Sequence, residues 1–333
     1  MKKVLSLILA LAMVFALVAC GEKQPSNDGN TDGDKPTRGN VIMTFGTADT
    51  GGSMYPAGAA VSQVWTNNVQ GVKCNTQTST GSFQNCQDVS TGEVDVAVAT
   101  SDVVLNAYNG TGKFADIGKL DNLRVIGAVY TSVLSGVALK SSGLTYIHEL
   151  LGKRVAVGPA ASATENATLA AFGVMGIDSS NTSLENLGLG DGADSVGDGI
   201  LDAAFGFAGL PIGGQLNLAA TKEIQVLDMT QEEIDKVLAG NAAYIQTKIP
   251  AGTYTGQDND ANTFGVKCLI IVTADMDADL VYDLCKAMNE HTEEMAAGNA
   301  LLKDMTDPSF LCTQMPIPLH DGAQKYYSEQ GLI

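Results

Sequence analysis

The stretch Met43-Thr-Phe-Gly-Thr-Ala-Asp-Thr-Gly-Gly-Ser-Met-Tyr-Pro56 decides the fold of this chain. The apolar run that leads into it, residues 41–45, predicts a strand, and a loop rich in glycine and hydroxyl residues follows. From Ala57 to Trp65 apolar residues recur at i, i+3, i+4, i+7 and i+8, which predicts the buried face of a helix. At a helix start, unpaired backbone N–H groups and the positive end of the helix dipole favour an anion, and glycine allows close approach. The stretch therefore predicts a site for a small anionic ligand.

The same order of features returns later in the chain. Residues 154–158 predict a strand, residues 159–165 form a loop of small residues, and apolar residues between Ala167 and Met175 repeat the helical spacing. Segments 89–97 and 196–204 also agree, because each places Gly-x-x-Asp between a helix and a strand. With short apolar runs alternating with helical patterns throughout, we predict an α/β fold of two lobes. Each lobe is expected to be a mostly parallel sheet flanked by helices, with the ligand cleft between the lobes.

The predicted lobe boundaries follow the order of these features. Lobe I is assigned to residues 41–133 plus 264–333, and lobe II to residues 134–263. Two separate strands are expected where the chain first crosses between the lobes, at residues 124–130 and 135–140.

The connection back to lobe I and the C-terminal region show less apolar periodicity, so their structure is predicted in less detail. The long irregular stretch 249–263 is expected to lead back to lobe I, since such stretches are usually linkers or functional loops. One long helix is predicted over residues 277–297, and residues 299–333 are expected to be helical and to pack on lobe I.

Composition limits the class of protein. At 333 residues the chain has room for about two domains of roughly 100–200 residues each. Its apolar fraction of 45% against 17% charged residues is typical of a globular protein. The net charge of −18 argues against nucleic acid as a partner, and it gives no long-range attraction for an anion. An anion site would therefore depend on local dipoles.

The N-terminus has the layout of an export signal. Lys2 and Lys3 precede an apolar run over residues 4–18, which is shorter than the about 20 residues that a spanning helix needs. It ends in Leu17-Val-Ala-Cys20, which resembles a bacterial lipobox. The resemblance implies a signal peptide over residues 1–19 and a lipid on Cys20; plain secretory cleavage is the alternative.

The polar residues that follow indicate a tether. Residues 20–40 contain glycine, proline and hydroxyl residues without apolar periodicity, so we predict a lipidated flexible tether. The protein is then expected on the outer face of the cell membrane, anchored through the lipid.

Cysteines and histidines give no pattern for a metal or a cofactor, and we predict neither. The five remaining cysteines are expected to be free and mostly buried, although a Cys74–Cys86 bridge stays possible. His148, His291 and His320 lack metal spacing and are interpreted as surface or capping residues.

Three motifs of enzymes or ion sites are absent from the sequence. There is no P-loop, the glycine loop fails the G-x-S-x-G pattern at its fifth position, and residues 188–198 miss the spacing of an EF-hand. The last segment is interpreted as a loop with a short helix. We therefore predict a protein that is not an enzyme.

Seven segments together resemble one known family. The resemblance is to the TAXI-type substrate-binding receptors of TRAP (tripartite ATP-independent periplasmic) transporters, over about residues 41–333. The segments are Thr50-Gly-Gly-Ser-Met-Tyr-Pro56, Thr80-Gly-Ser-Phe-Gln-Asn85, Gly92-Glu-Val-Asp-Val-Ala97 with Ser101-Asp102, Gly152-Lys-Arg-Val-Ala-Val-Gly158, Phe207-Ala-Gly-Leu-Pro211, Ile249-Pro-Ala-Gly-Thr-Tyr254 and His320-Asp-Gly-Ala-Gln-Lys-Tyr-Tyr327.

The resemblance implies a fold, a ligand and a partner. It implies a type II periplasmic-binding-protein fold that captures a small organic acid or amino acid, glutamate-like or a C4–C5 dicarboxylate. The loaded receptor would deliver this ligand to the TRAP membrane permease subunits, which an ion gradient drives. The implied ligand-binding residues are Thr50, Gly51, Gly52, Ser53, Tyr55, Ser79, Thr80, Gly81, Ser82, Asn85, Ser101 and Asp102 from lobe I, and Ser162, Ala163, Thr164, Phe207, Ala208 and Gly209 from lobe II.

Two departures from the family pattern affect the expected ligand. The loop over residues 158–164 has alanines where the family often has glycines, and the chain has only three arginines, Arg38, Arg124 and Arg154. No arginine clamp for a carboxylate is evident, so helix N-termini and hydroxyl groups are expected to bind it, with much of the recognition from Ser53 and the backbone N–H groups of the first loop. A less charged ligand is the alternative. A surface sensory or adhesion module on the same scaffold, or a small-molecule transferase, are the alternatives.

Overall fold

The structure, a computed structural model, describes residues 39–333. The predicted signal peptide, the lipidated Cys20 and nearly all of the predicted tether lie outside the described residues. Within residues 39–333, no helix combines the length and the apolar character needed to cross a membrane.

The described residues form one sheet of ten strands with helices on its faces. The strands are β1 Val41–Gly46, β2 Val72–Gln77, β3 Val96–Thr100, β4 Leu123–Leu139, β5 Arg154–Ala156, β6 Ser183–Glu185, β7 Ala203–Ala208, β8 Ile224–Val226, β9 Ile245–Ile249 and β10 Ala261–Thr273. The α-helices are α1 Met54–Asn68, α2 Ser82–Thr91, α3 Ser101–Asn109, α4 Ala163–Val174, α5 Leu189–Gly197, α6 Gly213–Thr221, α7 Gln231–Gly240, α8 Ala278–Glu290, α9 Thr292–Gly298, α10 Pro308–Cys312 and α11 Asp321–Glu329. Short 3-10 helices cover Gly112–Phe114, Lys140–Ser142, Ile147–Leu150 and Ala300–Thr306.

The sheet order is β2-β1-β3-β10-β4-β7-β5-β6, with β8 paired to β4 and β9 paired to β10. The α/β architecture with flanking helices is therefore as predicted. The expectation of mostly parallel pairing holds for the triplets β2-β1-β3 and β7-β5-β6. The sheet as a whole is mixed, because β4 and β10 pair antiparallel with each other and with their outer neighbours.

The prediction of two strands at residues 124–130 and 135–140 is wrong, because β4 runs without a break from Leu123 to Leu139. The polar residues that lie between the two predicted strands are accommodated inside the sheet. Thr131 donates a hydrogen bond to Asp304 at 3.0 Å, and the Ser132 hydroxyl lies 3.0 Å from the Cys268 sulfur on β10. The predicted lobe boundaries after residues 133 and 263 fall within β4 and β10, and the division into lobes stays a prediction.

Two βαβαβα segments repeat on either side of this central pair of strands. We call residues 41–109 the first parallel unit and residues 154–221 the second parallel unit. Their Gly-x-x-Asp segments have the same role: the Asp95 carboxylate accepts from the Thr44 N–H at 2.7 Å, and the Asp202 carboxylate accepts from the Arg154 N–H at 2.8 Å. The internal similarity seen in the sequence is thus confirmed.

The C-terminal region differs from the prediction in one helix. The predicted helix over residues 277–297 is two helices, α8 and α9, because the backbone of His291 leaves helical geometry at φ −115° and ψ 17°. Residues 299–333 are largely helical as predicted, and His320 returns the chain to the sheet by donating its N–H to the Val125 carbonyl at 2.8 Å. The His320 side chain then caps α11 through the Gly322 N–H.

The five cysteines of the described chain are free and buried, which confirms the first of the two sequence interpretations. Burial raises the pKa of all of them, for Cys74 to about 11. These thiols stay protonated and act as small apolar side chains within the core.

Close packing of α11 on α8 gives a prediction for stability. A Cβ at Gly322 would lie 2.2 Å from the Ala278 carbonyl oxygen and 2.9 Å from the Tyr282 nitrogen. Because backbone atoms cannot rotate away, we expect Gly322→Ala to lower the free energy of unfolding by about 1–3 kcal/mol. In the control Gly240→Ala the new methyl group meets no atom within 4 Å, so urea unfolding should show unchanged or slightly higher stability. Equal stability of both variants would contradict this packing.

Candidate functional site

A cavity opens where the loops after β1 and β2 of the first parallel unit face the loops after β5 and β7 of the second. Its volume is about 40 Å³. It is lined by Ala48, Asp49, Gly52, Ser53, Met54, Thr80, Gly81, Ser82, Tyr130, Pro159, Ser162, Ala163, Thr164, Leu189, Phe207 and Ala208. At roughly 10–15 Å³ for each water-sized group, this space holds only a few atoms, so the walls must separate to admit a larger ligand.

Three helix N-termini contribute to the walls of this cavity. They are the starts of α1 at Gly52–Met54, of α2 at residues 80–82 and of α4 at residues 162–164. Helix geometry leaves the first N–H groups of each helix without an intrahelical acceptor. Each terminus also carries about half a positive charge from the helix dipole. The three termini therefore bring partial positive charge to the cavity wall, and none of the described lining residues is basic.

The starts of α2 and α4 approach each other most closely. Gly81 has a φ of 116°, and a Cβ at this position would lie 3.6 Å from the Ser162 Cβ. The Ser162 hydroxyl caps α4 by accepting from the Glu165 N–H at 3.1 Å, whereas no side chain caps α2. An anion between the two termini would meet donors from both parallel units.

In the loop before α1, some backbone N–H groups that the sequence suggested were free already have hydrogen-bond acceptors. The Asp49 carboxylate accepts from the Gly51 N–H at 2.7 Å, and the Asp49 carbonyl accepts from the Gly52 N–H at 3.1 Å. In the present conformation a nearby side chain and a carbonyl accept from these two N–H groups, and their part in ligand binding stays a prediction. Asp49 itself, an exposed residue, brings a negative charge to the cavity wall.

Ser53 connects the two parallel units across the cavity. Its hydroxyl donates to the Gly209 carbonyl at 3.0 Å, and both groups are buried. A Cβ at Gly209 would lie 1.8 Å from a Leu301 methyl group and 3.2 Å from the Tyr130 ring. A side chain at Gly209 would therefore displace Leu301, and Ser53 joins the walls in the present conformation.

Tyr130 of β4 lines the cavity and is fully buried. Within the described residues its hydroxyl has no hydrogen-bond partner. Burial raises the pKa of Tyr130 well above its usual value, and the neighbouring Cys268 adds to the rise. The hydroxyl therefore stays protonated, and the Cys268 thiol and the Ser132 hydroxyl lie beside it.

Two hydroxyl groups in the walls hold the loops in place. Thr164 accepts from the Phe207 N–H at 3.1 Å, which ties α4 to the end of β7. Ser82 accepts from the Thr100 N–H at 3.1 Å, which ties α2 to the end of β3. These contacts fix the helix starts relative to the strands of their own units.

The sequence-derived site residues fall into two groups. Those in the cavity wall are Gly52, Ser53, Thr80, Gly81, Ser82, Ser162, Ala163, Thr164, Phe207 and Ala208. Those outside it are Thr50, Gly51, Tyr55, Ser79, Asn85, Ser101, Asp102 and Gly209. Whether any of them binds a ligand stays a prediction.

The residues outside the wall have other contacts. Tyr55 lies in a separate groove between α1 and α9. The Asn85 amide donates to the carbonyls of Thr47 and Val98 at 2.6 and 2.7 Å, and the Ser79 hydroxyl donates to the Thr47 carbonyl at 2.8 Å. The Asn85 side chain therefore connects α2 to β3 and to the residue after β1, and Ser79 connects the loop after β2 to that same residue.

Sequence reasoning missed six wall residues, Ala48, Asp49, Met54, Tyr130, Pro159 and Leu189. Asp49 and Met54 lie within residues 43–56, the stretch that predicts a ligand site, so their position in this stretch was a signal for them. Tyr130 and Leu189 reach the cavity through the tertiary fold, and no local pattern marks them.

Histidines show no metal arrangement. His148 pairs with Glu233 and His291 with Glu294, while His320 is a helix cap, in line with the sequence interpretation. Among residues 39–333 no group of three or more His, Cys, Asp or Glu side chains is placed to hold a metal ion.

The Ser53–Gly209 hydrogen bond gives a prediction for ligand affinity. We expect Ser53→Ala to weaken binding about fivefold, because the closed walls lose one buried hydrogen bond of about 1 kcal/mol. Titration calorimetry with a ligand of the wild type measures this, with Ser328→Ala on the exposed side of α11 as control. Unchanged affinity in Ser53→Ala would show that this contact does not support the bound state.

Known structures share this architecture. The alkanesulfonate-binding protein SsuA from Xanthomonas axonopodis pv. citri bound to MOPS is 13% identical, with a TM-score of 0.50 over 87% of this chain and 84% of that chain. Protein AF1704 from Archaeoglobus fulgidus gives 12% identity and a TM-score of 0.49 over 88% and 98%. A putative L-cystine ABC transporter from Listeria monocytogenes gives 16% and 0.46 over 80% and 94%. At 13% identity the similarity to the alkanesulfonate-binding protein concerns the fold alone, and it confirms the type II periplasmic-binding-protein fold.

Within this fold class, the sequence also identifies a family. The chain belongs to the NMT1-like family, whose family model matches residues 45–331. The match spans both parallel units, the long strands β4 and β10, and the C-terminal helices.

Proposed function

We propose that this protein is an extracytoplasmic solute-binding receptor that captures a small organic acid or amino acid. The observation that carries the proposal is the convergence of three helix N-termini on one cavity between the parallel units. In the type II periplasmic-binding-protein fold, this cavity occupies the crevice at the carboxyl ends of the strands, where open α/β sheets bind ligands. The function proposed is binding without chemical conversion.

The anionic group of the ligand is proposed to lie between the starts of α2 and α4. Their free N–H groups and the Tyr130 hydroxyl are donors that need no positive side chain. Arg154 does not take part, because its guanidinium pairs with Asp202 on the far side of β5 from the loop. Arg124 donates to the carbonyls of Asp121 and Leu123.

Asp49 favours an amino acid over a dicarboxylate within this ligand class. Of the described residues that line the cavity, it is the one with a formal charge. A carboxylate at this place attracts the ammonium group of an amino acid and repels a second carboxylate of a diacid. We therefore place amino acids first among the candidate ligands.

Ligand capture is proposed to use a hinge in β4 and β10. These strands pass from one parallel unit to the other, and their pairing shifts register between Cys268 and Leu269 and again between Ile270 and Ile271. Such irregularities allow a sheet to bend. Separation of the units would open the small cavity, and the ligand would stabilise the closed form by its contacts with both walls.

The delivery partner is proposed from the resemblance to TAXI-type receptors. The loaded receptor would pass its ligand to TRAP permease subunits, and the lipid on Cys20 would keep it at the outer face of the membrane. The two lobes of the receptor would then correspond to residues 41–133 plus 264–333 and to residues 134–263.

A thermal-shift screen of the full-length protein in detergent tests the function. Glutamate, glutamine, 2-oxoglutarate and C4 dicarboxylates form the panel. A ligand at 100 times its Kd contributes about 2.7 kcal/mol, which raises the Tm of a chain of this size by about 4 °C. No shift with any compound at millimolar concentration would contradict the proposed ligand class.

A further inference from the structure

A buried carboxylate joins the two parallel units behind the cavity. Asp102, at the start of α3, accepts hydrogen bonds through Oδ2 from the Asn166 amide of α4 at 2.8 Å and from the Tyr244 hydroxyl at 3.0 Å. Asp102 was a predicted ligand contact, but it does not line the cavity. Its partners lie on the opposite side of the predicted cleft, so the contact can exist only when the two sides are together.

The second oxygen of this carboxylate, Oδ1, does not accept such hydrogen bonds from the described residues. Asp102 is 0% exposed, and within the described residues Oδ1 has no hydrogen-bond partner. The Thr100 hydroxyl and the Val103 N–H lie close enough to lower the pKa of Asp102, but neither completes a hydrogen bond to Oδ1. A carboxylate ion would therefore leave charge on a buried oxygen without a full hydrogen bond, whereas a carboxylic acid places its proton there. Burial raises the pKa of Asp102 more than its hydrogen-bond donors lower it.

The groups that face Asp102 do not supply a positive charge. They are the Cys86 thiol of α2, the Cys268 thiol of β10 and the Tyr244 phenol, and each has a raised pKa that keeps it neutral. The nearby Lys113–Glu165 ion pair also crosses between the two sides, but Lys113 is bound to Glu165 at the first turn of α4. Nothing among these groups compensates an ionised Asp102.

We propose that closure of the cavity around its ligand is coupled to the uptake of one proton by Asp102. This inference rests on the proposed solute-binding function. When the units separate, the Asp102 carboxyl meets water and ionises as an ordinary aspartate. When they close, the protonated acid accepts from Asn166 and Tyr244 and is stabilised relative to the ion.

The direction of the pH effect follows from this linkage. The closed form has the raised pKa of Asp102, so it binds more protons than the open form at pH values between the ordinary aspartate pKa and the raised one. Lowering the pH through this window favours closure. Ligand affinity should therefore increase as the pH falls, by at most about tenfold for each pH unit and one proton.

Titration calorimetry of the full-length protein with its best ligand measures the protons taken up. The titrations are repeated at one pH in buffers of different ionisation enthalpy, and at several values between about pH 4.5 and 8. We expect up to one proton per ligand for the wild type and none for Asp102→Asn, whose amide imitates the protonated acid. The exposed Asp116→Asn should behave as the wild type.

A second variant covers the case that Asp102→Asn fails to fold. Tyr244→Phe keeps the ring against Phe264, with centroids 4.8 Å apart, and removes one donor to the carboxylate. Because that donor lowers the pKa of Asp102, its loss should move the pH dependence of binding to higher pH. An unmoved profile in this variant would overturn the proposal.

Small-angle X-ray scattering of the ligand-free protein separates this proposal from the proposed function. The radius of gyration of the wild type should decrease as the pH falls, whereas Asp102→Asn should be equally compact at all pH values tested. If no compound binds, the proposed function fails and the scattering still tests the coupling. The same pH dependence in wild type and Asp102→Asn, in scattering or in calorimetry, would overturn it.

Discussion

Ala163→Asp is expected to weaken ligand binding by at least about 100-fold, which corresponds to about 2.7 kcal/mol. Ala163 is 4% exposed at the first position of α4 and lies in the cavity wall. A carboxylate there would occupy the place of the anionic group and accept from the same N–H donors. At about 4 Å and an effective dielectric constant of about 20, two like charges repel by roughly 4 kcal/mol, which exceeds the stated loss.

The variant should fold normally, since acidic residues are favoured in the first turn of a helix. Leu169→Asp is the matched control, because it adds the same charge to an exposed position of α4. Calorimetry with the best ligand of the wild type should show near-normal binding for the control. Normal binding by a folded Ala163→Asp would place the ligand elsewhere.

Asp49→Asn is expected to change the choice of ligand rather than abolish binding. An amino acid should lose about tenfold in affinity, while the corresponding acid without the ammonium group should bind equally well or better. The Asp49 carboxylate is the charge that distinguishes the two ligands at the cavity wall. Asparagine keeps an oxygen for the Gly51 N–H, so the loop should retain its shape.

Paired titrations of glutamate and 2-oxoglutarate measure this change as a ratio of dissociation constants. Asp198→Asn, at an exposed aspartate that follows the last residue of α5 and lies outside the cavity wall, is the control and should leave the ratio unchanged. A ratio that is the same in wild type and Asp49→Asn would show that Asp49 does not contact the ammonium group.

Local sequence patterns predict much of this fold because the same local signals recur in both parallel units. Strand β1 begins at Val41 as predicted and ends one residue later than predicted, and α1 and α4 follow from their spacing of apolar residues. The paired roles of Asp95 and Asp202 follow from a four-residue pattern that occurs twice. These features depend on residues close together in the chain, where spacing carries the information.

The long strands and part of the site depend on contacts between residues that are far apart in the sequence, and local residue spacing does not reveal such contacts. β4 stays continuous through Thr131 and Ser132 because partners from β10 and the C-terminal region meet their hydroxyl groups. Tyr130 belongs to the cavity only because β4 passes beneath both units. The family resemblance predicts that Asp102 contacts the ligand. In the structure, Asn166 and Tyr244, which are distant in sequence, donate hydrogen bonds to its carboxylate.

The occupancy of the cavity is the central claim, and mass spectrometry of small molecules released from the purified protein tests it most directly. Wild-type protein is denatured beside an equal amount of Ala163→Asp, and the released compounds are identified and counted per chain. We predict close to one small organic acid or amino acid per wild-type chain and almost none from the variant. Equal release from both proteins, or no release together with no binding of any compound in the panel, would contradict the account.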